Sequence, residues 1–194
     1  MPYSLLLTAE LQGITDLHPK DSEESPYYYT FRVQCTSCRE EHANAVSFNR
    51  YDTIDIPGSR GEANFVWKCK TCTVRRIPPT TAGLEIPVAP TTFTIRTTYA
   101  DPFRILQKTH SASILEAAKT FDVSNGKTQS IIELDCRGLE PIEFIADGEW
   151  LATGIDSGTK FSNIELEEGE WFDYDDKAGQ EVSITDVHWE IRRA

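Results

Sequence analysis

The sequence predicts an all-β protein of two related small β-barrel or sandwich domains, with a zinc-ribbon-like four-cysteine site in the first. Three observations lead there. Short segments rich in aromatic and β-branched residues recur between Gly, Pro and Asn turns, and few stretches carry helical periodicity. Two CxxC pairs, Cys35-Thr-Ser-Cys38 and Cys69-Lys-Thr-Cys72, fall where such segments end. The stretch FRVQCTSCRE at 31–40 is echoed by IELDCRGLEP at 132–141, so the chain reads as a degenerate repeat whose second copy lacks metal ligands.

Residues 3–14 partly alternate and open as a strand; 18–26 (HPKDSEESP) is a polar loop. Residues 27–34 (YYYTFRVQ) are aromatic and β-branched, a strand that delivers Cys35. Another strand is expected between Val46 and Ile56, ended by Pro57-Gly58, and a turn at 59–63 leads into the short strand 64–68 and the second CxxC. Further on, 113–118 is a short apolar segment and Ser124-Asn125-Gly126 a turn. The stretch SIIELD at 130–135 is a strand running into Cys136, and 182–192 alternates as the closing strand. The expected domains are 1–76, binding zinc, and 108–194, acidic and metal-free, with 74–107 as an insertion.

The cysteine spacing carries the chemistry. A tetrahedral Zn2+ takes four thiolates at about 2.3 Å, and one CxxC turn supplies two. A second turn completes the shell, so Cys35, Cys38, Cys69 and Cys72 are the candidate ligands for one zinc per chain. Four thiolates on Zn2+ leave a net charge of minus two, and Arg39, Lys68, Lys70, Arg75 and Arg76 lie near in sequence. The alternatives are redox pairs or disulfides from the same cysteines. His42 follows Cys38 closely enough to substitute as a ligand, but four Cys make it superfluous. Cys136 reads as a small buried hydrophobe. No GxSxG, Walker loop or HExxH occurs, and no catalytic constellation is recognised.

Charge narrows the partners. Residues 1–132 hold 14 acidic and 14 basic side chains, whereas 133–194 hold 17 against 5. An acidic half repels phosphate, which argues against nucleic acid. No apolar run approaches the roughly 18 residues needed to cross a membrane, and MPYSLLLTAELQG lacks the basic start of a secretory signal. An odd cysteine count with four in metal spacing suits a reducing compartment, the cytoplasm or nucleus. The run ELEEGEWFDYDD at 165–176 embeds aromatics among carboxylates, and Trp171, Asp173, Tyr174 and Asp175 are its candidate partner-docking residues on a monomeric chain.

These residues resemble the eukaryotic family of CXXC-motif-containing zinc-binding proteins. The resemblance rests on CTSC, SRGEANFVWKCKTC, IIELDCRGLEPIEF, GIDSGTKFSNIELEEGEWFDYDDKA and the final strand. It implies a cytosolic protein of two related β domains with zinc only in the first, held by Cys35, Cys38, Cys69 and Cys72, and it supplies no enzymatic activity. The function expected is a non-catalytic zinc protein acting as an interaction or adaptor module; the alternative is a thiol-redox or metal-transfer protein. The departure from the family is at 74–107, rich in Pro and Thr. It reads either as a surface loop or as a translated intron. Its 34 residues span 102 nucleotides, begin Val-Arg, whose codons start GT, and end in Gln107, which CAG can encode.

Overall fold

The structure, a computed structural model, describes residues 2–74 and 106–194. Most of the expected insertion at 74–107, its loop and intron readings included, therefore lies outside the described residues. The chain is all-β, as its residue pattern requires. Among the described residues, fourteen strands run in the order β1 (Pro2–Gln12), β2 (Ile14–Pro19), β3 (Tyr29–Cys35), β4 (Val46–Phe48), β5 (Ile54–Asp55), β6 (Glu62–Ala63) and β7 (Phe65–Val74). Then come β8 (Leu106–Ile114), β9 (Thr128–Arg137), β10 (Leu139–Ile145), β11 (Glu149–Gly154), β12 (Lys160–Glu165), β13 (Trp171–Asp175) and β14 (Gln180–Arg193). The one helical element among the described residues is a 3-10 turn at Val123–Asn125.

The largest sheet has six strands in the order β13-β14-β1-β9-β8-β7. Its centre is β1, where Tyr3, Leu5, Leu7 and Ala9 alternate into the core. Two three-stranded sheets, β10-β3-β4 and β12-β11-β2, stand against it. Two glycines turn the chain from the large sheet into these smaller ones. Gly13, at φ 73°, separates β1 from β2, and Gly138, at φ 78°, separates β9 from β10. The space between the sheets is filled by one continuous core in which Phe31 packs on Phe48 and Phe144, and Trp150 on Tyr27 and Trp189.

Strand pairing corrects the expected partition into 1–76 and 108–194. The first strand pairs with β9 and β14, β2 pairs with β11, and β3 pairs with β10. Each sheet that includes β1, β2 or β3 therefore joins chain from both sides of residue 75. Alternation along a strand dictates which of its faces is buried, but it carries no information on which strand lies beside it.

The expected equivalence of Cys136 and Cys35 fails as well. Cys136 lies within β9 opposite Ala112 of β8, 2% exposed. Besides the Gly13 and Gly138 corners, a turn repeats. Arg39 N–H donates to the Cys35 carbonyl at 2.9 Å, Gly158 N–H to that of Gly154 at 3.0 Å, and Gly179 N–H to that of Asp175 at 2.7 Å. All three turns close on a left-handed residue, Arg39, Gly158 or Gly179. The second and third, at the ends of β11 and β13, meet through Asp175, which Ser157 Oγ and Thr159 Oγ1 both contact as donors.

Candidate metal centre

The inward face of β3 carries Tyr29, Phe31, Val33 and Cys35, each at most 2% exposed. The same alternation that builds the core therefore aims Cys35 inward. The chain then turns, and the Ser37 N–H donates to Cys35 Sγ at 3.4 Å. The second knuckle forms differently, as a bulge in a hairpin. Along the β7–β8 ladder, Lys68 pairs with Thr109 and Thr73 pairs with Gln107. The chain spends five steps on β7 for two on β8, and the surplus holds Cys69, Lys70, Thr71 and Cys72 out of register.

The two knuckles face each other. Cys35 and Cys72 sulfurs are 3.5 Å apart, and Cys38 and Cys69 sulfurs are also 3.5 Å apart. All four Sγ atoms lie within 4.8 Å of one another. A tetrahedron with bonds of about 2.3 Å has edges of about 3.8 Å, so the cluster is of the size Zn2+ requires. Cys35 and Cys69 are fully buried, while Cys38 and Cys72 are half-buried.

The thiols' acidities show what this donor set lacks without a cation. Burial pushes the Cys35 thiol up, but N–H donors from Cys38 and Ser37 outweigh it and bring it down to about 7. Contact with Cys38, then burial, pushes Cys72 up to about 12, and burial raises Cys69. The Cys35 thiolate forms readily, whereas burial opposes charge on Cys69, and contact with Cys38 together with burial opposes it on Cys72. A divalent cation among the sulfurs removes that penalty. The residues present fit zinc.

His110, on β8, is the neighbour that spacing did not reveal. It is 2% exposed, and its Nε2 stands 3.3 Å from Cys35 Sγ. Burial and the Lys108 ammonium lower its pKa, so the imidazole is neutral beside the sulfur. His42 is elsewhere: its ring meets Trp67 edge-on and its Nδ1 is 2.7 Å from the Asn44 carbonyl. Among the cations expected nearby, Arg39 pairs with Glu140 at 2.9 Å. Lys108, too far along the chain for spacing to suggest it, donates to Ser37 Oγ at 3.1 Å over the first knuckle. Arg75 and Arg76 lie outside the described residues.

The expected docking residues separate. Asp173 and Tyr174 are exposed, but Trp171 is half-buried against Phe161, and Asp175 is only 1% exposed. The Asp175 carboxylate accepts N–H bonds from Lys177 and Ala178 at 3.1 and 3.2 Å as well as the Ser157 and Thr159 hydroxyls. It faces the second and third amides after it, as Cys35 faces those of Ser37 and Cys38. This is an internal knot of hydrogen bonds, not a docking group.

An all-β fold built round a four-cysteine cluster of this size defines a zinc-binding protein with a Zn2+ site. The comparison of sequences places it further. The chain belongs to the family of CXXC motif containing zinc binding proteins, eukaryotic, whose pattern matches residues 4–77 and 102–192. The unmatched internal residues fall inside the 74–107 stretch. Among its relatives, the UPF0587 protein C2D10.03c of Schizosaccharomyces pombe is 39% identical over 192 residues, spanning 99% of this chain and 98% of that one. The human CXXC motif containing zinc binding protein is 31% identical over 184 residues, spanning 95% of this chain and 93% of that one. The crystal structure of C1orf123 shares the fold at TM-score 0.75 and 27% identity, with both chains wholly covered. No helix of the described residues is long and apolar enough to cross a membrane.

Proposed function

We propose that the protein is a non-catalytic zinc module of the cytoplasm or nucleus, in which one Zn2+ bound by Cys35, Cys38, Cys69 and Cys72 holds the fold and the outer surface engages a protein partner. The observation that carries the reading is the cluster itself. Four protein sulfurs within 4.8 Å leave no coordination position for water or substrate. They also tie the end of β3 to a bulge of the β7–β8 hairpin, two elements that share no backbone ladder. Bound zinc supplies structural energy there, about 10 kcal/mol in small zinc domains. A chain whose odd fifth cysteine stands beside four in metal spacing suits a reducing compartment.

A second reading, metal transfer or thiol exchange, draws on the half-buried Cys38 and Cys72. Alkylation by iodoacetamide with metal bound separates the two. A closed structural site leaves all four cysteines unmodified until a chelator is added. Rapid labelling of Cys38 and Cys72 in the loaded protein, with zinc release, overturns the structural reading in favour of exchange.

A further inference from the structure

We propose that the outer face of β13 and β14 docks a basic, extended segment of a partner protein, gripped by Phe172 and Tyr174. The proposal rests on the adaptor reading above and names its surface. The strand β13 is the terminal strand of the six-stranded sheet and, among the described residues, pairs with β14 alone. Its inward residues, Trp171 and Asp175, are occupied by Phe161 and by the Ser157–Thr159 knot. The alternate residues point the other way. Phe172 is 63% exposed and Tyr174 is 51% exposed, two large aromatics two residues apart on the same face. Across the ladder Phe172 faces Ser183, which faces Gln12, and Tyr174 faces Glu181. These residues and Asp173 line a shallow cleft of about 520 Å³.

Charge decides what fits. Residues 165–176 hold seven carboxylates and no Lys or Arg. Asp173 and Glu181 line the cleft beside the aromatic pair, and Glu168 and Glu170 are exposed in the turn that leads into β13. A second copy of this chain would bring the same carboxylates face to face within a Debye length of about 8–10 Å, where like charges are poorly screened. A cationic segment instead gains on both counts. Its Arg or Lys heads lie over the aromatic rings and against the carboxylates, and its aliphatic stems cover exposed ring. The docking is by side chains rather than by strand addition, because the Asp173 carboxylate already accepts the Tyr174 N–H at 2.7 Å and blunts that edge.

The test uses the zinc-loaded full chain and a labelled peptide of alternating Arg and Ala, with a Glu-Ala peptide as control, read by fluorescence anisotropy at low and physiological salt. The Arg peptide binds, the Glu peptide does not, and added salt weakens binding. The Phe172→Ser/Tyr174→Ser variant loses about tenfold in affinity, the effect of two cation–π contacts. Glu181→Gln, on the lining of the cleft, weakens binding and flattens its salt dependence, whereas Glu23→Gln/Glu24→Gln leaves it unchanged. Equal binding by the aromatic variant and wild type overturns the proposal, since attraction would then be diffuse. So does absence of Arg-peptide binding, or wild-type self-association abolished by the same variant. Zinc content read on the same samples reports separately on the metal assignment.

Discussion

His110 occupies the place where a Cβ of residue 138 would be: an added methyl on Gly138 would lie 2.2 Å from His110 Nδ1. The other nitrogen of that ring is 3.3 Å from Cys35 Sγ. The corner that sends β9 into β10 is therefore coupled through one buried ring to the metal centre. Gly138→Ala meets both this clash and the left-handed backbone at φ 78°. Strain of this kind costs about 2–4 kcal/mol. The urea midpoint and the zinc affinity, read by chelator competition, both fall. Adding His110→Ala, which vacates the space, restores part of each. A Gly138→Ala protein with unchanged zinc affinity would show that ring and metal centre are uncoupled.

The ligands themselves set a steeper test. Replacing any of Cys35, Cys38, Cys69 or Cys72 by Ser leaves three sulfurs, and zinc per chain by elemental analysis falls from one equivalent towards zero. The two buried positions suffer more, because replacing Cys35 or Cys69 also places a hydroxyl in the interior. Cys136→Ser provides the control: it costs about 1–3 kcal/mol as a buried polar group yet keeps full zinc, since Cys136 is not in the cluster. Loss of metal from Cys136→Ser would contradict the assignment.

Asp175 provides the pH test. Hydrogen bonds from Ser157, then from the Ala178 amide, Thr159 and the Lys177 amide, outweigh burial and hold its carboxyl below the ordinary carboxylate range. A carboxyl whose folded pKa is depressed stabilises the fold above its unfolded value of about 3.9, and that stability disappears as pH falls through the folded value. Asp175→Asn is therefore less stable than wild type at neutral pH, and the gap narrows as pH falls below about 3.9 and on through the folded value. Urea midpoints across that range check it. A gap independent of pH would place the stabilising charge elsewhere.

What the sequence made legible was local. The β3 pattern and the paired CxxC turns lie in single stretches of chain, so the strand, its inward face and the four sulfurs could be read directly. His110 could not, because a neighbour of Cys35 supplied by β8 has no fixed spacing from the knuckles, and residues 75–105 stand between it and Cys72. The proposed docking surface keeps Asp173 and Tyr174 of the expected set and takes Phe172 in place of Trp171 and Asp175. An acidic run with aromatics advertises a surface, but only the register of β13 on β14 shows that Trp171 turns in and Phe172 turns out. The second pair of turns is hidden for a similar reason: the expectation follows cysteines, and Asp175 plays a sulfur's part with a carboxylate.

The segment between β7 and β8 gives the last prediction. Val74 and Leu106 are cross-strand partners, so β7 ends and β8 begins side by side. An Asn-Gly pair between two such partners makes a two-residue hairpin turn that matches strand twist. Closing a loop of two residues in place of about 31 spares on the order of 2 kcal/mol of chain entropy, about four halvings of length. The protein with Asn-Gly in place of 75–105 is expected to bind one zinc and to melt at or above the wild-type temperature. This holds whether the segment is a surface loop or a translated intron, and sequencing of the mature transcript across codons 74–107 separates those two. Loss of zinc from the shortened protein would show instead that the segment supports the metal centre, whose second knuckle ends at Cys72, two residues before the end of β7.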